Sequence, residues 1–350
     1  MTIYTVLICL TSMKIAVCGC GGIGGVVAGV LGFQGHDIDC IEANREYADR
    51  LNANGITLTG KKGEVQTAVQ AFAGFSHTDV KYNLIVIAVK SDALRGVFIQ
   101  CKEHLAPSGC ILTLQNGLEP LRLCDEFPDT RLMGGAVGYN SIMLEYGRYL
   151  VTSEGGITVG NLKNCSESDL VILKEFFTPG IEILTTKNIR GVLWAKLLIV
   201  CGITGLGGAS GMLVGELMKR RVARKLFYRV VSEGCFVAKK LEVKMEKFGG
   251  LLPEKFGVHR GSYPVLFRYV LLKLVGRKYR ALKSNIHHSL EKGQRTEIDY
   301  LNGEIVRRGE ETGVQTPVNR EVVRIVKEIE KKERDMGIEN LEEIWEIIKT

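Results

Sequence analysis

The sequence predicts a doubly wound, Rossmann-type parallel α/β sheet domain followed by an all-α domain. Three observations carry that prediction. The stretch from Met13 to Glu42 runs strand, glycine turn, helix, strand, acid. Two further runs, Asn83–Val89 and Cys110–Leu114, are apolar throughout, as strands are when helices cover both faces of a sheet. From Asn188 onward the apolar spacing turns helical and stays so.

The first stretch is the most informative. Met13-Lys14-Ile15-Ala16-Val17-Cys18 is a short apolar run rich in β-formers. It breaks at Gly19-Cys20-Gly21-Gly22-Ile23-Gly24, which fits G-x-G-x-x-G. Val26, Val27, Val30 and Leu31 then recur at helical spacing up to Gln34-Gly35, and Asp37–Ile41 forms a second strand ending at Glu42. This order is that of a dinucleotide-binding βαβ unit. Gly19 allows the tight turn, Gly21 lets the backbone approach a pyrophosphate, and Gly24 lets the helix pack close to the strand. The diphosphate would lie on free N–H groups at the positive end of the helix. The backbone of residues 19–24 is therefore assigned to the cofactor.

Glu42 bears on which nucleotide binds. A carboxylate at the end of the second strand accepts hydrogen bonds from ribose hydroxyls and repels a 2′-phosphate. Arg45, three residues on, could instead pair with that phosphate. The cofactor is NAD or NADP, with Glu42 favouring NAD.

The next elements follow in order. Glu46–Asn54 reads as a helix. Ile56–Thr59 and Val65–Ala71 flank Gly60-Lys61-Lys62-Gly63 as a hairpin. The strand at 83–89 ends at Lys90, and the strand at 110–114 ends at Gln115-Asn116-Gly117. One more step reaches a strand at Leu132–Val137. Ligands on such sheets bind outside the strand C-termini, so Glu42, Lys90 and Asn116 mark one edge. Tyr149–Thr152, Gly156–Gly160 and Ile181–Leu184 read as strands extending the sheet, with a helix at Asp169–Phe177. The first domain spans residues 13–187.

The second spans 188–350. Val192–Ile203 is a strongly apolar helix with one charge, Lys196, in its middle. A lysine there is costly unless it is paired, working, or reaching out along one face. Gly202–Gly215 is glycine-rich and predicts a break, and Glu216–Leu241 a single helix. Residues 244–283 mix glycines, prolines and aromatics with Lys255, Arg260, Arg268, Lys273, Arg277, Lys278, Arg280 and Lys283. A basic helix at 264–279 fits a solvated face, a lid, an oligomer contact or a membrane surface. Asn285–Arg308 resumes a helical pattern, a further helix starts at Thr316-Pro317, and the tail at 338–350 reads as an acidic amphipathic helix.

The whole chain sets limits. Its 350 residues suit two domains, and 45% hydrophobic residues suffice for sizeable cores. A net charge of +7 suits an anionic cofactor and substrate, and no finger spacing or aromatic-basic repeat points to nucleic acid. Ten cysteines are scattered with no C-x-x-C pair. They read as reduced core residues of a cytoplasmic protein, and no metal is expected. Residues 1–12 are apolar, lack a basic start and are too short to span a bilayer. They read as an upstream extension, with Met13 the expected start. No later stretch reads as a transmembrane helix, so no stable membrane insertion is expected.

The motifs together resemble the ketopantoate reductase (2-dehydropantoate 2-reductase) family over roughly residues 13–335. The most specific mark is Arg295-Thr296-Glu297-Ile298-Asp299-Tyr300-Leu301-Asn302-Gly303, close to the family's T-E-I-D-Y-x-N-G. Ala88-Val89-Lys90, Gln115-Asn116-Gly117 and Trp194-Ala195-Lys196 accompany it in order. The resemblance implies hydride transfer from a nicotinamide to the carbonyl carbon of a 2-oxo acid, by default ketopantoate. It implies Lys196 as the catalytic lysine and Glu297 as the acid that binds the substrate hydroxyl. Asn116 matches an asparagine near the nicotinamide and that lysine, and Lys90 a lysine of the cofactor cleft.

There are departures. The family carries substrate-binding asparagines four and eight residues after the lysine, where this chain has Val200 and Thr204. The family's serine pair and aspartate become Ser284-Asn285 and Ser289, with Asn285 still able to contact a carboxylate. Losing polar partners from a hydrogen-bonding site can reject the original substrate strongly. A larger, more apolar acid is therefore the alternative, and a non-catalytic nucleotide-binding or membrane-surface protein a second one. A homodimer through the helical domain is the expected assembly.

Overall fold

The computed structural model describes residues 13–61, 63–77, 79–257 and 263–349. The extension at 1–12, Lys62 of the hairpin turn, and Arg260 and Gly261 lie outside the described residues. The chain divides into two compact units, one of residues 1–115 and 119–190, the other of Asn116–Leu118 with Gly191–Thr350.

The first unit is built on an eight-stranded sheet. Its strands are β1 (Ile15–Cys18), β2 (Ile38–Glu42), β5 (Gln70–Ala73), β6 (Tyr82–Ile87), β7 (Leu105–Thr113), β8 (Leu132–Val137), β11 (Ile157–Lys163) and β12 (Ile183–Thr185). Their order is β12-β11-β8-β7-β6-β1-β2-β5. All neighbours run parallel except β11, which is antiparallel to β8 and carries β12 with it. The chain leaves β1 toward β2 on one side and returns to β6 on the other. The switch point, where such sheets bind ligands, therefore lies between β1 and β6. β1 is buried along its whole length, because helices cover both faces. A buried charge fixes the register of three strands: Asp39 accepts hydrogen bonds from Lys14 Nζ at 3.0 Å and Tyr82 Oη at 2.8 Å.

Helix α1 (Gly22–Phe33) follows β1, and α2 (Arg45–Asn54) follows β2. Asn44 caps α2 by accepting from the Tyr47 N–H at 3.0 Å. The unit continues with α3 (Leu94–Glu103), α4 (Glu119–Glu126) and α5 (Glu167–Phe177).

A second sheet was not expected. Strands β3 (Ile56–Gly60), β4 (Gly63–Thr67), β9 (Asn140–Glu145) and β10 (Arg148–Ser153) pair in the order β4-β3-β10-β9. The hairpin at 56–67 therefore leaves the main sheet, and so does the Tyr149–Thr152 strand, which extends this second sheet and not the first. Together they cover the outer face of α1: a Cβ on Gly29 would lie 2.7 Å from Ile56 Cγ2.

The second unit is helical. Helix α6 (Ile189–Val200) passes through one π-turn (Cys201–Gly205) directly into α7 (Leu206–Ser210). The glycines at 202–208 thus do not break the helix, which stops only at Gly211, in the left-handed region at φ 65°. Joined in this way, Ile189–Ser210 is long and apolar enough to cross a membrane, contrary to the sequence reading, but 78% of its apolar window is buried within the protein.

The predicted helix at 216–241 is two, α8 (Val214–Lys219) and α9 (Arg221–Lys240), parted by extended backbone at Arg220. Helix α10 (Val265–Lys278) forms as predicted. The predicted helical run at 285–308 is broken into α11 (Asn285–Glu291), a 3₁₀ turn (Ile298–Tyr300) and α12 (Asn302–Thr312). α13 (Pro317–Glu330) and α14 (Ile338–Ile347) complete the unit.

Candidate active site

In the first unit, the sequence dictates a cradle at the end of β1. Gly19 has φ 84°, and a Cβ there would lie 2.7 Å from Val89 Cγ1. Only glycine fits that turn. Backbone bonds tie neighbouring strand ends to it: Gly19 N donates to Ile41 O at 3.0 Å, and Ala88 N to Cys18 O at 2.8 Å. Gln115, buried after β7, donates to Ile87 O at 2.9 Å. Space around Gly21 is open, with no atom within 4 Å of where a Cβ would stand. The first turn of α1 has no side-chain cap and no acidic residue. An uncapped helix start beside open space suits a diphosphate.

Glu42 sits where expected and does more than the sequence suggested. Its Oε1 accepts a hydrogen bond from the Cys20 N–H inside the glycine loop. Burial pushes its carboxyl above the ordinary value, partly offset by the bonds from Cys20. Cys20 contributes backbone only, because its side chain is fully buried. Ile23 is half-buried, and its carbonyl accepts from Tyr139 Oη at 3.1 Å. Arg45 is exposed at the start of α2. Lys90 is exposed and opens a turn, its carbonyl accepting from Ala93 N at 3.1 Å.

Sequence reasoning missed the residues that hold the loop from outside. The Tyr47 and Tyr149 hydroxyls both lie within hydrogen-bonding distance of the Cys20 carbonyl and of each other, so with one proton apiece they share that carbonyl and their mutual contact. Ser141 of β9 bonds the Gly22 carbonyl. The Tyr149 ring occupies the space that a Cβ on Gly25 would need, 2.0 Å from its Cζ. The signal was present in Gly24-Gly25: the fingerprint requires only the first of the two glycines.

In the second unit, the helical run 191–210 is buried except along one stripe. Ile199, Val200, Ile203 and Thr204 are half-buried, and Lys196 opens that stripe, itself only 7% exposed. Burial pulls its ammonium down to about 8, while the Glu297 carboxylate works in the opposite direction. The Phe248 ring lies 5.7 Å from Lys196 Nζ, in a tight turn closed by Phe248 and Leu251. The first part of the odd 244–283 stretch therefore covers the lysine.

Glu297 is half-buried and leads the 3₁₀ turn at 298–300. Thr296 holds that turn, its N–H donating to Glu330 Oε1 at 2.7 Å and its Oγ1 accepting from Ile298 N at 3.2 Å. Asn116 is half-buried. Gly117, at φ 96°, brings the Asn116-Gly117 turn against the same feature, since a Cβ there would lie 2.8 Å from Tyr300 O. Lys196, Glu297 and Asn116 thus belong to one compact unit.

Thr204 is committed elsewhere: its hydroxyl donates to the Val200 carbonyl at 2.9 Å. Asn285 is exposed at the start of α11, next to Ser284, which bonds Thr204 O at 3.3 Å. The signature's Asn302 proves structural. Fully buried, it donates to Cys201 O in the π-turn at 3.5 Å and to Asn319 Oδ1 at 2.9 Å. Asn319 in turn donates to the buried Glu233 at 2.7 Å. This network holds the π-turn, a feature often found near functional sites. Among the described residues, no group of three or more His, Cys, Asp or Glu side chains could hold a metal ion.

Comparison with known proteins gives consistent matches. The family pattern described as "Ketopantoate reductase PanE/ApbA" matches residues 15–164, and "Ketopantoate reductase PanE/ApbA C terminal" matches residues 188–330. The chain is 25% identical over 310 residues to a 2-dehydropantoate 2-reductase of Pyrococcus horikoshii, covering 88% of this chain and 94% of that one. It is 23% identical over 321 residues to the 2-dehydropantoate 2-reductase of Halobacterium salinarum, covering 90% and 98%. Among solved structures it resembles a PanE/ApbA family ketopantoate reductase from Ralstonia eutropha JMP134, with TM-score 0.78 and 25% identity over 91% of this chain and 99% of that one. It also resembles in fold a D-mandelate dehydrogenase solved with NADH and anilino(oxo)acetate, with TM-score 0.80 and 20% identity over 91% and 99%.

Proposed function

The chain belongs to the ketopantoate reductase family and is an oxidoreductase with a Rossmann-type fold for a nicotinamide cofactor; from that premise we propose that it reduces a 2-oxo acid to the 2-hydroxy acid, by default ketopantoate to pantoate. The observation that carries this reading is Lys196, a buried amine whose proton affinity burial has lowered to about 8 and whose charge Glu297 supports. An acid works best when its pKa lies near the operating pH.

The residues divide the work. The backbone of 19–24 and Glu42 hold the dinucleotide, with Lys90 in its cleft and Arg45 the residue that would pair with a 2′-phosphate. A nicotinamide held there would supply the hydride for the carbonyl carbon. Lys196 donates a hydrogen bond to the carbonyl oxygen and gives it a proton as negative charge develops there. A protonated amine stabilises that oxyanion more than the neutral ketone, which is what lowers the barrier. Glu297 binds the substrate hydroxyl and favours the protonated form of Lys196, and Asn116 orients the reacting groups. Glu42 points to NADH, since a buried carboxylate bonded into the glycine loop disfavours a 2′-phosphate. We place the enzyme in the cytoplasm, as a homodimer through the helical unit.

One observation favours a different acid. Where two substrate-binding asparagines are expected, Val200 offers only methyl groups and the Thr204 hydroxyl is spent on its own helix. A more apolar 2-oxo acid fits that stripe, with the Phe248 ring beside Lys196. The fold itself does not decide, since it also serves a mandelate dehydrogenase. The test is oxidation of NADH and of NADPH by purified protein with ketopantoate, a branched aliphatic 2-oxo acid and an aryl 2-oxo acid. Turnover with ketopantoate in the highest kcat/KM supports the default. A preference of tenfold or more for an apolar acid, reversed toward ketopantoate in Val200→Asn, assigns specificity to the stripe. No turnover with any of them would sink the assignment.

A further inference from the structure

Helix α10 is not used by the reaction. One of its faces is anchored. Leu272 and Gly276 are buried, and a Cβ on Gly276 would lie 2.6 Å from Met218 Cβ of α8. Arg268, also buried, bonds the Phe256 carbonyl at 3.4 Å, with its guanidinium 4.9 Å from the Tyr228 ring. The rotation of the helix is therefore fixed.

The opposite face should be polar in a helix lying on a protein in water. It is not. Leu266 is 75% exposed and Leu274 56%, and Phe267 and Val270 are exposed with them. At 3.6 residues per turn, positions 266, 270, 273, 274 and 277 form one stripe. Exposed Lys273 and Arg277 thus sit within the apolar surface, and exposed Lys278 borders it. No Asp or Glu occurs between Glu254 and Glu291. A second copy of this face, docked by two-fold symmetry, would set these cations against their own counterparts.

We propose that this face docks on an anionic lipid headgroup surface, holding the enzyme at the membrane periphery with α10 lying in the interface. Leucine, valine and phenylalanine side chains enter the acyl boundary, while the flexible stems of Lys273, Arg277 and Lys278 reach back to lipid phosphates. Each such cation contributes about fivefold to binding near an anionic surface.

Flotation of the full chain with vesicles of phosphatidylcholine, alone or with about a third phosphatidylglycerol, tests this at about 0.15 M salt. Wild-type protein is expected to bind the anionic vesicles at least tenfold better than the neutral ones. The triple variant Lys273→Glu, Arg277→Glu, Lys278→Glu is expected to lose at least about 10²-fold, and Leu266→Glu with Leu274→Glu at least tenfold. Both variants should keep the wild-type melting temperature and reductase rate, since every changed side chain is exposed. Equal binding to both vesicle types, no binding to either, or a charge-reversed variant that binds like wild type would overturn the proposal. So would a wild-type dimer, seen by sedimentation, that Leu266→Glu with Leu274→Glu splits, because the face would then belong to a second copy.

Discussion

Replacing Lys196 by alanine is expected to lower kcat for 2-oxo acid reduction by about 10²–10³, with dinucleotide affinity changed less than twofold. The magnitude is that of removing one donor from a developing oxyanion. The nucleotide cradle and Lys196 belong to different compact units, so binding and chemistry should separate cleanly in this variant. Fluorescence titration with NADH beside steady-state rates would measure both. A variant that keeps its rate would show that the buried amine is only structural.

The same lysine sets two pH dependences. Reduction needs its proton, so the wild-type rate should fall about tenfold per pH unit above about 8, the value to which burial brings it. Stability moves the other way. Between about 8 and the ordinary 10.5, the unfolded chain holds a proton on Lys196 that the folded chain has lost. The unfolded state then binds more protons, and folding stability rises with pH across that window. Below it both states are protonated, and the folded state bears the whole cost of the buried charge. Urea unfolding at pH values on either side of the window should show that rise in the wild type and not in Lys196→Ala.

Gly24→Ala should have the second large effect. A methyl group there would stand 2.0 Å from the Gly19 carbonyl oxygen and 3.0 Å from Ala88 Cβ. The first contact is with backbone, so no side-chain rotation relieves it. Helix α1 must move off β1, at a cost of about 3 kcal/mol or more, near the upper end for overpacking. The displaced helix start no longer presents its N–H groups to a diphosphate. Loss of both stability and dinucleotide binding is expected, while Gly21→Ala, in open space, should retain the wild-type melting temperature. Thermal melts with and without NADH distinguish the two, and a Gly24→Ala protein as stable as wild type would refute the packing argument.

The parts legible in the sequence were those in which local pattern and tertiary role agree. β1, β8, the Leu84–Ile87 part of β6 and the Cys110–Thr113 part of β7 are buried because both faces are covered, and each reads as a continuous run, whereas the exposed Pro107-Ser108 lead-in of β7 does not. The glycine fingerprint and Glu42 stand out because chemistry and spacing coincide, whereas the roles of Lys196 and Glu297 came from the family resemblance, and the turn at 298–300 interrupts a run that reads as helical. β9 escaped because Ile142, Met143 and Leu144 are exposed on it, so no alternation marks a half-buried strand. The glycines after Lys196 were misread in kind. Local reasoning takes glycine as freedom to turn, but Gly202, Gly205 and Gly208 serve close packing. Added Cβ atoms there would lie 2.5 Å from Phe227 Cδ2, 2.5 Å from Asn302 Oδ1 and 2.2 Å from Ile286 Cγ2. A missing methyl group looks the same in sequence whichever use it has. The break at Arg220 carries neither glycine nor proline and left no trace.

The clamp of Tyr149 on the glycine loop has a consequence for the order in which the protein matures. The bond from its hydroxyl to the Cys20 carbonyl spans 129 positions in the chain. At about 5–20 residues per second, synthesis takes roughly 6–25 s to travel that distance. Through that interval the nascent loop lacks β9 and β10, and Gly25 lacks the Tyr149 ring that packs on it. Within its unit the nucleotide cradle precedes the strand that clamps it and is finished only once β10 has been made.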